Sequence, residues 1–243
     1  VFLESPGSYT FEIRDIPAIT AVCRRRGILT AIDNTWASPL YFKPLEHGVD
    51  ISTQAATKYL CGHSDVMLGT IAVNDEELFR TLKDTATQFG NSVSPADCYL
   101  ALRGMRTMGV RLRQHQETAT RLVEWLAGRD EVADVLYPAW PEDPGHEIWK
   151  RDFHGASGLF GFVLKSASKE AVAALVEGMK YFRIGASWGG YESLMIPAYP
   201  VRSFAAPPWE ERGPLLRVHA GLEDARDLVA DLEAGFARLN AAR

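Results

Sequence analysis

The feature that most constrains this chain is the stretch of residues 33–65, DNTWASPLYFKPLEHGVDISTQAATKYLCGHSD, and above all Lys58 within it. An apolar run over residues 28–32 leads into Asp33, and a second short run over residues 49–53 leads toward Thr57 and Lys58. Both read as buried parallel strands of an α/β sheet. In such sheets ligands gather beyond the carboxyl ends of the strands. The turn-rich segment between the two runs leaves room for one crossover. A carboxylate at position 33 and an amine at position 58 are therefore expected in one crevice.

The flanking chain extends this pattern. Residues 1–3 read as a short strand ended by the turn cluster Glu4-Ser5-Pro6-Gly7-Ser8. A helix is expected over residues 16–23, closed by Arg24-Arg25-Arg26-Gly27. Cations in a last turn followed by glycine mark a helix end, so the arginines are a solvated terminus rather than a nucleic-acid patch. Further strands are expected over residues 27–32 and 67–73, a short helical piece over 44–47 and an amphipathic helix over 75–89. Strand, helix, strand is the order of a parallel sheet. Ser94 as cap with Pro95 at the first helical position opens a long helix to about Leu126. A helix of that length suits a bridge, which places a domain boundary near Gly104, with residues 1–104 and 105–243 on either side. Beyond it, strands are expected over residues 132–137, 158–164 and 215–218 and a helix over 171–180. The last helix, over 222–239, puts Leu222, Ala225, Leu228, Val229, Leu232, Phe236 and Leu239 on one face. The proline-rich residues 197–214 read as a loop ordered against the body.

Composition excludes several classes of function. The 243 residues are 47% hydrophobic and 23% charged, with a formal net charge of −5. That gives no electrostatic case for nucleic acid or an anionic membrane. The three cysteines, Cys23, Cys61 and Cys98, form no CxxC. Neither a metal site nor a disulfide framework is indicated, and a reducing, cytoplasmic setting is the expectation. No signal-peptide pattern and no membrane-length apolar run are present. The opening Val1-Phe2-Leu3-Glu4 reads as a core strand with nothing before it, so the chain is expected to be a piece of a longer polypeptide.

Four features carry chemistry. Most lysines lie on surfaces, but Lys58 sits in Gln54-Ala55-Ala56-Thr57-Lys58-Tyr59 before a Gly62-His63-Ser64-Asp65 turn, a constrained setting. A lysine that forms a Schiff base must be neutral, which requires a depressed pKa. Asp33 is open to two readings, a turn former before Asn34 or a partner for a pyridine nitrogen. A lysine and an aspartate together are what pyridoxal 5′-phosphate (PLP) chemistry requires, with the Thr57 hydroxyl suited to a phosphate oxygen. Arg217, inside an apolar strand, needs a partner: a structural carboxylate or the α-carboxylate of a substrate. Gly185 to Ser193 places small residues around Trp188, either for close approach to a ligand or as a bulged strand with a packed indole. His63 and His219 lack spaced metal partners and read as hydrogen-bonding residues.

With these motifs in view, the chain resembles the PLP-dependent enzymes of cysteine and methionine metabolism, and among them the bacterial lyases that cleave cystathionine at the β carbon. The resemblance rests on residues 54–65, on AIDNTW before them, on SWGGYES after them and on RVHAGLEDARDLVADLEAGF near the end. It implies a PLP-dependent transferase fold of type I, with part of a mainly parallel cofactor domain and a smaller C-terminal α/β domain. It implies Lys58 as the Schiff-base lysine, Asp33 at the pyridine nitrogen and Thr57 at the phosphate. Arg217 is implied at the substrate carboxylate, with Ser187 and Trp188 beside the substrate. Where many relatives have a cofactor-touching asparagine near the start, this chain has Ser8, and where many have a serine three positions before the lysine it has Ala55. Relatives are longer at the N-terminus, and that part carries ring-stacking, phosphate-binding and subunit-crossing residues. The resemblance further implies a homotetramer, a dimer of dimers with shared active sites.

The activity implied is β-elimination of an amino-acid thioether, cystathionine, to homocysteine, pyruvate and ammonia. A γ-replacing transferase is the alternative, disfavoured because the Trp188 indole crowds the longer γ path. A fragment without catalysis is the third.

Overall fold

The computed structural model describes residues 1–201 and 209–242 as two four-stranded sheets that contribute to one core. The first sheet runs β1 (Phe2–Glu4), β2 (Ala31–Asp33), β3 (Ile51–Ala55) and β4 (Gly69–Ala72), in that order. β1 and β2 are joined by α1 (Ile16–Arg25). Its start is fixed by Asp15, whose carboxylate accepts the Ala18 N–H at 3.1 Å, and by Pro17 in the first turn. β2 and β3 are joined by α2 (Ser38–Tyr41) and a short 3-10 turn, Pro44–His47.

β1 pairs with β2 and β2 with β3 in parallel, as the sequence predicts. The parallel order stops there. β4 is antiparallel to β3, a correction to the strand–helix–strand expectation. Residues 56–68 form turns and no helix, and without a crossover helix a strand returns antiparallel. The strand expected over 27–32 is also displaced. Ile28 and Leu29 are exposed, and pairing starts at Ala31, just after Thr30 is tied to the Asp50 carboxylate through both N–H and hydroxyl.

α3 (Glu76–Gln88) is capped by Asp75, and α4 (Pro95–Ala127) by Ser94, whose hydroxyl accepts the Asp97 N–H at 3.0 Å. Gly104, the expected boundary, lies inside this unbroken helix. A Cβ there would stand 2.3 Å from the Cys61 carbonyl oxygen, so only glycine lets α4 lie against the turn that follows Lys58.

The second sheet comprises β5 (Val132–Leu136), β6 (Leu159–Leu164), β7 (Leu194–Ala198) and β8 (Leu215–His219), ordered β5-β6-β8-β7 and antiparallel throughout. α5 (His146–Asp152), α6 (Lys169–Glu177) and α7 (Ala225–Ala241) complete the chain. β7 falls at the start of the expected proline-rich loop, whose residues 202–208 lie outside the described residues. As an edge strand it tolerates Pro197, which donates nothing to the ladder. α7 starts at Ala225 because Asp224 caps it, accepting the Arg226 N–H at 2.8 Å.

Side chains lock the two sheets together. The Trp36 indole N–H donates to the Leu159 carbonyl at 2.8 Å, and the Tyr59 hydroxyl accepts the Gly158 N–H at 3.1 Å. Ile32, Tyr59, Phe160, Phe162 and Val218 all belong to one buried cluster. Among the described residues no helix is long and apolar enough to cross a membrane.

Candidate active site

Asp33 and Lys58 leave the sheet at the same edge. In the parallel pair β2–β3, Asp33 stands opposite Thr53, and Lys58 follows the end of β3 in a tight turn. That turn is closed by Lys58 N–H to the Ala55 carbonyl at 3.0 Å and Gly62 N–H to the Lys58 carbonyl at 2.7 Å. One residue joins the two strand ends. The Thr35 N–H and hydroxyl both donate to the Asp33 carboxylate, and the same hydroxyl oxygen accepts the Ala55 N–H at 2.8 Å. Nothing in the sequence marks Thr35 beyond its place two residues after Asp33.

The Lys58 amine meets the second sheet. Its Nζ lies 2.6 Å from Ser187 Oγ and 5.4 Å from the centre of the Trp188 ring. Burial, and then the charge of Arg217, hold its pKa below the usual lysine value. Gly189, φ +84°, packs on the lysine itself: a Cβ there would stand 2.9 Å from Lys58 Cβ. The glycines of SWGG thus give close approach to Lys58 and, at Gly190, to Ser64. The segment is neither a strand nor a bulge.

Behind that loop sits a buried aromatic group. His219 Nε2 lies 3.1 Å from both the Gly189 N–H and the Gly190 carbonyl, and the His219 ring packs on Tyr59 and His115. Burial and the neighbouring His115 push the pKa of His219 down to about 3, and burial pushes His115 down to about 4. Both are neutral at pH 7. The two supportive motifs of the sequence bind each other. The Glu223 carboxylate of GLED accepts the Ser193 N–H at 2.8 Å and the Ser193 hydroxyl at 2.7 Å.

Arg217 is 8% exposed and makes no ion pair among the described residues. One guanidinium nitrogen donates to the Ala186 carbonyl at 2.5 Å and approaches the Ser187 carbonyl at 3.5 Å. A cation this buried without a carboxylate is suited to an incoming anion. Thr57 and Ser8 are less free. The Thr57 hydroxyl lies 3.3 Å from the Leu68 carbonyl and 3.0 Å from the Leu68 N–H, so it must release the carbonyl to donate to a phosphate. The Ser8 hydroxyl donates to Glu4 at 2.8 Å and its N–H to the same carboxylate at 3.1 Å. His63 bonds the Cys61 carbonyl at 2.7 Å. Among the described residues no His, Cys, Asp and Glu cluster could hold a metal ion. A cavity of about 660 Å³, lined by Arg24, Asp50, Asp75 and Glu77 among others, shares no residue with this constellation.

Comparison with known proteins gives the family. Residues 1–237 match the family described as Cys/Met metabolism PLP-dependent enzyme. The chain belongs to this family. It is 49% identical over 245 residues to cystathionine β-lyase MetC of Escherichia coli (strain K12), covering 98% of this chain and 62% of that protein. It is 44% identical over 242 residues to an L-alanine/L-glutamate racemase of Wolbachia pipientis wMel, covering 98% and 60%. A crystal structure of cystathionine γ-synthase from Xanthomonas oryzae, in complex with aminoacrylate and cysteine, superposes with a TM-score of 0.91 at 37% identity, over 100% of this chain and 64% of that one. The fold is the type I fold of PLP-dependent enzymes. The chain spans roughly three-fifths of the length of its curated relatives, 61% and 62% for the first two.

The residues present fit the cofactor of this family. A half-buried amine of lowered pKa and a strand-end carboxylate open on the same sheet edge, where the Asp33 carboxylate is held by Thr35.

Proposed function

We propose that the protein is a PLP-dependent carbon–sulfur lyase that cleaves cystathionine by β-elimination and, with uptake of one water, gives homocysteine, pyruvate and ammonia, a step of methionine biosynthesis. One observation carries this reading. The Lys58 amine and the Arg217 guanidinium, a proton acceptor and an anion binder, converge on the single loop Ala186-Ser187-Trp188. The lyase relative of Escherichia coli supports the choice of reaction.

Lys58, Asp33, Thr57 and Ser8 are the proposed cofactor contacts, with Lys58 bonding the aldehyde carbon and Asp33 the ring nitrogen. When bound, PLP supplies an electron sink for negative charge at the substrate Cα. Arg217 grips the α-carboxylate and sets the orientation of the Cα–H bond. Lys58, its pKa lowered by burial and then by the charge of Arg217, takes the Cα proton and returns a proton to the departing sulfur. Ser187 holds the lysine amine in place, and Trp188 walls the pocket on the side of the thioether.

Residues 1–104 form part of the cofactor domain and residues 105–243 the smaller domain in this proposal. The working assembly is a homotetramer with shared sites in the cytoplasm.

A γ-replacing transferase is the second reading, favoured by the γ-synthase structure and disfavoured by Trp188. Incubating the PLP-loaded protein with cystathionine separates them. Pyruvate is the expected product, whereas 2-oxobutyrate or a thioether product assigns γ chemistry. D-Alanine formation from L-alanine is the control set by the racemase relative.

A further inference from the structure

The loop between β1 and α1 holds two non-glycine residues with left-handed backbone, Tyr9 at φ 62° and Phe11 at φ 53°. L residues avoid this region for steric reasons, so its use at two of three consecutive positions needs a cause. The loop is pinned on both sides. The Phe11 side chain is buried at 1% exposure, and the Phe11 N–H bonds the Gly7 carbonyl at 2.9 Å. The Gly7 N–H bonds the Glu12 carbonyl at 3.0 Å, and Glu4 holds Ser8. Between these anchors Tyr9 is turned outward, 37% exposed, with its ring centre 5.2 Å from the Arg217 guanidinium carbon. A ring at that distance attracts the cation.

Arg217 is therefore held by two contacts, a hydrogen bond to the Ala186 carbonyl and the Tyr9 ring beneath its guanidinium carbon. Its remaining N–H groups make no hydrogen bond among the described residues. We propose that Tyr9 is a positioning residue. It keeps the guanidinium plane in the one orientation that receives a carboxylate through two parallel hydrogen bonds, and so sets the preference for α-amino acids over their amides. This inference rests on the anion-binding role proposed for Arg217. A guanidinium free to tilt gives one bond instead of two and loses discrimination between carboxylate and amide.

The test uses the PLP-loaded protein and two ligands, glycine and glycinamide, with affinities measured by calorimetry. KM and kcat for cystathionine are measured alongside. Tyr9→Leu should weaken glycine by about threefold to tenfold and leave glycinamide unchanged, as expected for losing one cation–π contact. KM should rise by a similar factor with kcat within about twofold. Tyr9→Phe, which keeps the ring, should restore both. Tyr9→Gly, which suits a left-handed backbone, should repeat the loss without an unfolding penalty and guards against a misfolded leucine variant. Unchanged glycine affinity in the leucine and glycine variants overturns the inference, as does an equal loss in the phenylalanine variant. A wild type with no preference for glycine, or a preference that survives Arg217→Gln, overturns the role of Arg217 and this inference with it. A preference lost in Arg217→Gln but kept in Tyr9→Leu overturns the role of Tyr9 alone.

Discussion

The two sheets of this protein are of similar size and differ in what they bury. In the second, β6 and β8 are buried at every position and carry Phe160, Phe162, Leu216 and Val218. In the first, β1 and β4 have no buried residue, and β2 and β3 have one each, Ile32 and Ser52. Yet Asp33 and Lys58 belong to the first sheet and its following turn, and only Arg217 is rooted in the second. The contrast separates two tasks. The second sheet supplies the packed body, and its loops press Ser187, Trp188 and Gly189 onto a lysine carried by the first.

The largest expected effect is chemical. Lys58→Ala should lower turnover by about 10³-fold or more, as for removal of a principal proton-transfer group, while the thermal midpoint stays within a few degrees. Lys58 is half-buried and, among the described residues, its side chain makes one hydrogen bond, to Ser187, so a collapse of the fold on this change would break the division of tasks. Next comes Phe162→Ala, which opens a cavity in the fully buried β6 and should cost about 3–5 kcal/mol by urea unfolding. Thr35→Val removes the link from Asp33 to the Ala55 N–H and should cost about 1–3 kcal/mol, by leaving a partly buried donor unpaired. Measured cofactor affinity should fall with it, because the carboxylate loses its anchor.

Acid sharpens the comparison from the side of the second sheet. His219 and His115 have native pKa values pushed down to about 3 and about 4, against 6.5 in the unfolded chain. A group with a depressed native pKa is protonated first in the unfolded state, so stability is complete above about pH 6.5 and declines as pH falls toward 4. Each neutral histidine contributes a slope of about 1.4 kcal/mol per pH unit in that window. His219→Gln should remove one such share from the slope of urea-unfolding free energy between pH 6 and pH 4.5, and an unchanged slope would reject the assignment. The smallest effect belongs to β4. Ile71 is 58% exposed, and Ile71→Ala in the isolated chain should shift stability by no more than about 0.5 kcal/mol.

Much of this was legible before any coordinate. The strand-end positions of Asp33 and Lys58 followed from two apolar runs that stop where polar residues begin. The cap at Ser94 followed from its residue type and the proline after it, whereas the caps at Asp15 and Asp75 came from the structure. The direction of β4 was hidden, because a short apolar run has the same pattern in either sense. β7 was hidden by Pro197, which marks a loop except at a sheet edge. Tyr9 and Thr35 were hidden for another reason. Their partners, Arg217 and Ala55, lie far along the chain, and no local pattern brings such pairs together; His219 was legible as a hydrogen-bonding residue, but not its partner Gly189. GLED and GGYES were recognised separately, and only the structure shows Glu223 holding Ser193.

The most direct test is covalent. The protein is incubated with PLP, reduced with borohydride, digested and mapped by mass spectrometry. The added pyridoxyl mass should sit on the peptide containing Lys58, even though Lys43, Lys83, Lys150, Lys165, Lys169 and Lys180 compete for it. Label spread over those six, or fixed on any one of them in preference to Lys58, would contradict the account.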